Sequence, residues 1–289
     1  MAAAGASEVI ERQAFTGWFN AVSRLDLAGV NWAIVQIGDA LCSISPSEPS
    51  ILLNRVLGLG TQAPPTLEQL TDIRKLYADA GVGRFFLHVV PELLGPDRGD
   101  LLTEAGYEKY RGWMKFSRGP GEVREAKSDL SVRRIGVEHA DDFASIVAHG
   151  FDFEPGFQPA LAALVNDSNW QLYMTFDGDE PAGTGALHMR NRIGYLDFAA
   201  THPDFRRRGA QSLVLSKRLG HAFDAGCTSI ITMTGEAVPG EEQHSYRNIE
   251  KSGFEAAYLR ENWIPTGSQD SGSQSDLFDL GVKVRLSDQ

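Results

Sequence analysis

Apolar positions recur along this chain in two rhythms. From Ser7 to Val22 the residues Val9, Ile10, Phe15, Trp18, Phe19 and Val22 fall about a helical turn apart, which predicts an amphipathic helix. Short runs rich in β-branched and aromatic residues follow at Asn31–Ile37, Ala40–Ile44 and Ile51–Leu57 and predict strands. Thr66–Ala80 predicts a helix with Thr66 as its cap and Gly81 as its stop. Arg84–Val90 is an apolar strand closed by Pro91. A short helix over Asp100–Ala105 reaches Gly106, and strand Tyr107–Phe116 comes next.

The second half runs through a similar order. Strands are expected at Ser131–Ile135, Trp170–Phe176, Ala182–Met189, Gly194–Thr201, Ser229–Thr234 and Phe254–Ile264. Helices are expected at Glu138–Gly150, Gln158–Val165, Arg207–Ala225 and Glu242–Ser252. Between the halves, Ser117 to Asp129 is polar and rich in Gly and Pro. The expected organisation is therefore a domain over 1–118, a linker over 119–129, a second domain over 130–265 and a flexible tail over 266–289. Leu277–Leu286 in that tail has the apolar content of one more strand. An internal echo connects the halves: Leu102-Thr-Glu-Ala-Gly-Tyr-Glu resembles Ile249-Glu-Lys-Ser-Gly-Phe-Glu, and each follows a Val-Pro pair, Val90-Pro91 or Val238-Pro239, at nearly equal distance. Order and spacing agree as well as letters, which favours duplication over coincidence.

Length supports the same division, since 289 residues is about twice a common domain of ~150. A chain 42% hydrophobic and 22% charged is globular in composition, and no apolar run is long enough to span a bilayer. The first residues lack the basic and apolar regions of a secretory signal, so a cytoplasmic location is expected. The net charge of −11 disfavours nucleic acid and mildly favours cationic ligands, and no membrane partner is expected. Cys42 and Cys227 stand alone, without the spacing of a metal site, so no metal is expected. His149, His188 and His221 share no spacing either and read as structural.

Chemistry concentrates in Gly194-Tyr-Leu-Asp-Phe-Ala-Ala-Thr-His-Pro-Asp-Phe-Arg-Arg-Arg-Gly-Ala-Gln. An apolar strand gives way to a basic loop containing Gly209, and the loop opens a long helix. Helix N-termini present unpaired N–H groups and a partial positive charge, so basic residues are unfavourable there unless an anion is bound. Arg206, Arg207 and Arg208 with Gly209 thus suggest a diphosphate cradle in an otherwise acidic protein.

With Arg206-x-x-Gly209 after His202-Pro203-Asp204-Phe205, and Tyr246 to Phe254 ending in Gly253-Phe254, the segment from about Ser131 to Pro265 resembles the GNAT superfamily of acyl-CoA-dependent N-acyltransferases. Gln211 departs from the small residue that the family's signature carries. The resemblance implies an α/β (α+β) fold with two GNAT-like domains, the first degenerate, each a mixed, mostly antiparallel twisted sheet flanked by helices. It implies acetyl-CoA as co-substrate and a small-molecule amine as acceptor. Ala199, Ala200 and Thr201 would pair with the pantetheine arm, and the N–H groups of Arg207, Arg208, Gly209, Ala210, Gln211 and Ser212 would hold the diphosphate beside Arg206. Asn248 would also touch the cofactor, and the thioester carbonyl would lie near the Thr201 end.

Many relatives use a tyrosine four residues before the closing glycine as the acid that protonates the thiolate, a place that Ile249 takes here. Ser245, Tyr246 and His244 are the neighbouring donors that could substitute. Glu236 or Asp197 is the candidate base, with Glu236 favoured for its place at a strand end. Asp152 and Glu154, in the loop Phe151-Asp-Phe-Glu-Pro-Gly-Phe, are candidates to pair with a cationic amine, as is Asp197. The expected activity is N-acetyl transfer to a primary amine by a monomer or homodimer; a catalytically silent acyl-CoA sensor is the alternative. Gly58-Leu-Gly-Thr-Gln-Ala superficially matches a dinucleotide fingerprint, but Pro64 and Pro65 interrupt it and no acidic strand end follows at the right distance.

Overall fold

In the computed structural model of the chain, residues 2–95, 98–240 and 243–268 are described. The first half contains α1 (Ala2–Ser23), β1 (Ala33–Ile37), β2 (Ala40–Ile44), β3 (Arg55–Leu57), α2 (Leu67–Asp79), β4 (Phe86–Val89), α3 (Arg98–Glu104) and β5 (Tyr107–Arg118). The second half contains β6 (Ser131–Ile135), α4 (Ala140–Phe151), α5 (Gln158–Ala162), β7 (Trp170–Asp177), β8 (Glu180–Arg190), β9 (Ile193–Thr201), α6 (Ala210–Asp224), β10 (Ser229–Gly235), α7 (His244–Lys251) and β11 (Glu255–Pro265). The sequence placed most of these within a few residues. Where it differs, a side chain decides. The strand expected from Ile51 begins only at Arg55, because the Asn54 amide accepts from Ser45 N–H and donates to the Ser45 and Glu48 carbonyls, tying the segment into a turn. The expected helix from Arg207 starts at Ala210, because Arg207 and Gly209 sit at φ 63 and 83, outside helical geometry. The expected tail strand at Leu277–Leu286 lies outside the described residues.

The described strands form one eleven-stranded sheet in the order β1-β2-β3-β4-β11-β5-β10-β9-β8-β7-β6. It is mostly antiparallel; the parallel neighbours are β3 with β4 and β9 with β10. The order is palindromic about its centre. β11 and β5 pair antiparallel from Tyr107 against Pro265 to Ser117 against Glu255. Outward on either side come an antiparallel pair, a parallel pair and two antiparallel pairs, with β6 the one unmatched strand. The two central strands are those that the echoed segments lead into, and each crosses over to the other half: β5 pairs with β10, and β11 with β4.

Helix α1 also crosses. Ile10, Phe15 and Trp18 share a core with Phe143, Val147, Leu161, Tyr195 and Phe198 of the second half, and the Trp18 indole donates to Ala160 O at 2.6 Å. On its sheet-facing side α1 buries two carboxylates. Glu11, 1% exposed, accepts from Lys115 of β5 and from the Arg260 guanidinium of β11, and Arg55 of β3 lies 3.4 Å away. Glu8 accepts from Tyr258 and Arg260. Burial alone would push the Glu11 carboxyl up, but Arg260, Lys115 and Arg55 outweigh it and hold the group well below the usual range. His88, beside this cluster on β4, is kept neutral by burial, with Arg260 and Arg55 adding to the effect.

Candidate active site

The parallel pair β9–β10 holds together only from Ile193/Ser229 to Tyr195/Ile231. Both strands then run on without pairing to each other, to Thr201 and Gly235, and the gap between them opens a cleft of about 1560 Å³. On its other side β9 carries an irregularity against β8, between the pairs Thr184/Ala200 and Ala186/Asp197, where Phe198 adopts φ 52. Arg218 of α6 braces this bulge. Buried at 3% exposure, it donates to Ala186 O at 2.9 Å and Asp197 O at 3.2 Å, and burial brings its guanidinium down to about 10. Only glycine fits at 185, since a Cβ there would stand 2.7 Å from the Arg218 guanidinium carbon. His202 N–H donates to Ala182 O across the β8 edge. By strand alternation the main-chain groups of Ala199 and Thr201 therefore face the opposite edge, toward the parted β10.

At one end the cleft meets the start of α6. Arg206, Arg207, Gly209, Ala210, Gln211 and Ser212 line it, with Ala199, Ala200 and Thr201. Leu213 is the first residue of α6 to donate backward, to Gly209 O, so the N–H groups of Ala210, Gln211 and Ser212 precede the helical ladder and are suited to an anion. The Gln211 amide donates to Thr201 Oγ1 at 2.8 Å, joining helix to strand across the cradle. Two expectations change here. The Arg208 guanidinium faces away, held by Asp129 and Asp177, the latter at 2.6 Å, and does not line the cleft. Gly209 is required by the chain itself: at φ +83, a Cβ would meet Lys127 O at 3.0 Å.

The candidate acid and base residues separate. Ser245 and Asn248 line the cleft from α7, as do His244 and Ile249. Tyr246 lies on the opposite side of that helix. Half-buried, its ring packs edge-on against Phe116 at 4.8 Å at the margin of the core, burial raises its hydroxyl pKa, and it does not line the cleft. Glu236 is also displaced: its carboxylate accepts from Gly112 N–H at 2.9 Å and its carbonyl from Arg111, which ties β10 to β5 outside the cleft. Asp197 does line the cleft, partly buried, accepting from Phe198 N–H at 2.8 Å and Tyr195 OH at 3.1 Å. Burial raises its carboxyl, against a downward pull from Arg55.

The far end of the cleft draws on both halves. Asp152 and Glu154 of the second half are exposed there. Facing them are Trp18, Leu52 and the buried Glu48 of the first, with Arg55 behind. Glu48 accepts from Ser50 and Glu154 N–H groups, at 3.1 and 2.8 Å, and burial raises its carboxyl. Sequence reading missed Glu48 and Arg55, since neither sits in a motif; only the crossing of α1 and the sheet order bring them to the cleft. The corresponding loop of the first half, after β3, is filled by its own chain. Asp39 accepts from Gln62 N–H and the Gln69 amide, and a Cβ at Gly60 would stand 3.2 Å from Leu93 O.

Among the described residues, no group of three His, Cys, Asp or Glu is placed to hold a metal, and no helix is long and apolar enough to cross a membrane. Cys42 and Cys227 are both buried free thiols.

The sheet is mixed, and its parallel pair parts beside the N-terminus of α6. Comparison with solved structures finds similar folds. A GCN5-related N-acetyltransferase from Kribbella flavida aligns at TM-score 0.59 and 16% identity, over 88% of this chain and 95% of that one. One from Sphaerobacter thermophilus aligns at 0.55 and 12%, over 80% and 81%. A tandem GNAT protein from the clavulanic acid biosynthesis pathway aligns at 0.54 and 12%, over 86% of each chain. At these identities the likeness is one of fold. No curated protein matches the sequence. Residues 139–254 match the acetyltransferase (GNAT) family model. This segment is a GNAT acetyltransferase domain, and the family match and the fold together support an acetyltransferase.

Proposed function

We propose that the protein transfers an acetyl group from acetyl-CoA to a primary amine of a small molecule by direct attack on the thioester. The observation that carries this reading is the parting of β9 from β10 directly beside the free first-turn amides of α6. Arg206, Arg207 and the amides of Ala210, Gln211 and Ser212 would hold the diphosphate, and Ala199 and Thr201 would pair with the pantetheine arm. Bound there, the co-substrate supplies an activated acyl carbon. Thr201 is bonded to Gln211 of the cradle itself, so the acyl end belongs farther along β9, at the Asp197–Phe198 bulge rather than near Thr201.

At the bulge Asp197 is the proton acceptor for the amine, a role its cleft position supports better than that of Glu236. Ser245, with His244 beside it on α7, would donate the proton to the leaving sulfur. Asp152 and Glu154 would attract a cationic acceptor to the open end. In this reading the first half is a degenerate copy that gave up its own cleft and became one wall of the other.

The test is thiol release from acetyl-CoA across a mixed amine panel, beside calorimetric titration with CoA. Saturable CoA affinity that falls at least tenfold in Arg206→Ala/Arg207→Ala, with thiol release for some amines, is the expected result. Affinity without thiol release for any amine would favour an acyl-CoA sensor, and absence of affinity would end the proposal.

A further inference from the structure

We propose that the acceptor is a free α-amino acid, its ammonium taken by Asp197 and its carboxylate by Arg55. This deepens the acyl-transfer reading and rests on it.

Arg55 is the residue that calls for explanation. It is 5% exposed, comes from β3 of the first half and yet lines the cleft of the second. Its Nε is buried without a hydrogen-bond partner, and its contact with Glu11, at 3.4 Å, is longer than those that Glu11 makes with Lys115 and Arg260. Phe15 stacks under its guanidinium at 4.6 Å, which fixes the plane. A buried guanidinium with a free donor is unusual, because leaving it unpaired is unfavourable.

The charges around it point the same way. In the buried cluster Arg55, Lys115 and Arg260 face two carboxylates, Glu8 and Glu11, so one positive charge is left over. Asp197 lines the same cleft, and the Arg55 charge pulls its carboxyl downward. Once Asp197 accepts a proton from the incoming ammonium, that positive charge again lacks a partner. A carboxylate one carbon from the amine would supply it, since Arg55 and Asp197 line the same cleft. An amine without the carboxylate, or a peptide N-terminus, would leave Arg55 as it is. The reaction balances: the amine nitrogen, having given one proton to Asp197, bonds to the acyl carbon. The C–S bond breaks with its electron pair on sulfur, which takes up a proton. Ammonium and thioester together give amide, thiol and one released proton.

The remaining surroundings set the side chain. Glu48, Asp152 and Glu154 lie beside Trp18 and Leu52 at the cleft's open end, an arrangement that suits a side chain with an apolar stem and a cationic or polar tip.

The experiment uses the full chain and acetyl-CoA. Thiol release is measured for α-amino acids with basic, polar, aromatic and aliphatic side chains, each beside its α-carboxamide and its decarboxylated amine. At least one amino acid should exceed both partners tenfold in kcat/KM, chiefly through KM. In Arg55→Gln that ratio should fall toward one, and Arg55→Lys should restore part of it. Because the wild-type panel alone is decisive, a variant that fails to fold does not shield the proposal. If carboxamides, simple amines or a dipeptide serve as well as the amino acids, or better, Arg55 belongs only to the Glu11 cluster; this inference falls and the acyl-transfer reading stands. If no compound in this panel releases thiol, this inference falls, while the acyl-transfer reading is decided by the mixed amine panel and CoA titration.

Discussion

As the proposed proton acceptor, Asp197 would serve chemistry at the expense of stability. Its carboxyl is raised by burial, so the folded protein holds that proton more tightly than the unfolded chain does. Asp197 therefore lowers stability as pH rises through its folded-state pKa, while activity, which needs the ionised form, increases. In kcat/KM against pH, the wild type should show a limb above the usual carboxylate range, and Asp197→Asn should lose both the limb and most of the turnover. Denaturation at neutral pH should nevertheless find that variant within about 1 kcal/mol of wild type, since its amide keeps an acceptor for Phe198 N–H. Gly209 behaves differently. Left-handed backbone for a residue with Cβ costs about 1–2 kcal/mol, and the 3.0 Å approach of Lys127 O adds to that. Gly209→Ala should thus lower the urea midpoint, a loss in stability that would accompany any change in CoA affinity.

At the level of elements, the site depends on a strand that leaves its neighbour in good order. Beyond Tyr195, β9 keeps β8 on one side and gives up β10 on the other, and the Phe198 bulge marks the change. Arg218 is the brace, since its guanidinium satisfies the Ala186 and Asp197 carbonyls from α6. Arg218→Leu leaves both without that donor and should cost about 2–4 kcal/mol in chemical denaturation. Thiol release should fall by more than stability alone accounts for, because the acyl end of the cleft loses its shape.

Across the whole molecule, the exchange of β5 and β11 makes the halves interdependent. Each half supplies the central strand that covers the other's parallel pair. Fragments 1–118 and 119–289 should each be unfolded or aggregated when expressed separately, as judged by circular dichroism and gel filtration, and should regain structure when co-expressed. The Glu8–Glu11 cluster closes the same junction from α1. Because Glu11 is held below the usual carboxylate range, its contribution is present above the unfolded-state value of about 4.3 and is lost as pH falls toward the folded one. Glu11→Gln, which strands Arg55, Lys115 and Arg260, should destabilise by about 3–5 kcal/mol at pH 7 and flatten the acid limb of the stability curve.

Local features were legible in the sequence because their causes are local. Alternation and helical spacing set most elements, and Arg206-x-x-Gly209 before an amphipathic run marked the loop that lines the cleft at the start of α6. The repeated Gly-aromatic segment marked the two strands that became the centre of the sheet. What the sequence could not fix was the direction of a side chain on a known element. Tyr246 and Ser245 are adjacent, and only packing against Phe116 turns one inward and leaves the other at the cleft. Arg208 and Glu236 lie beside the site in sequence, but Asp129, Asp177 and Gly112 claim them. Arg55 and Glu48, far from any motif, reach the cleft because α1 and β11 cross between halves. The chain alone determined which segments are strands, which are helices and where an anion would be welcome; the tertiary structure decided which charges meet, because burial and pairing depend on neighbours that no spacing rule names.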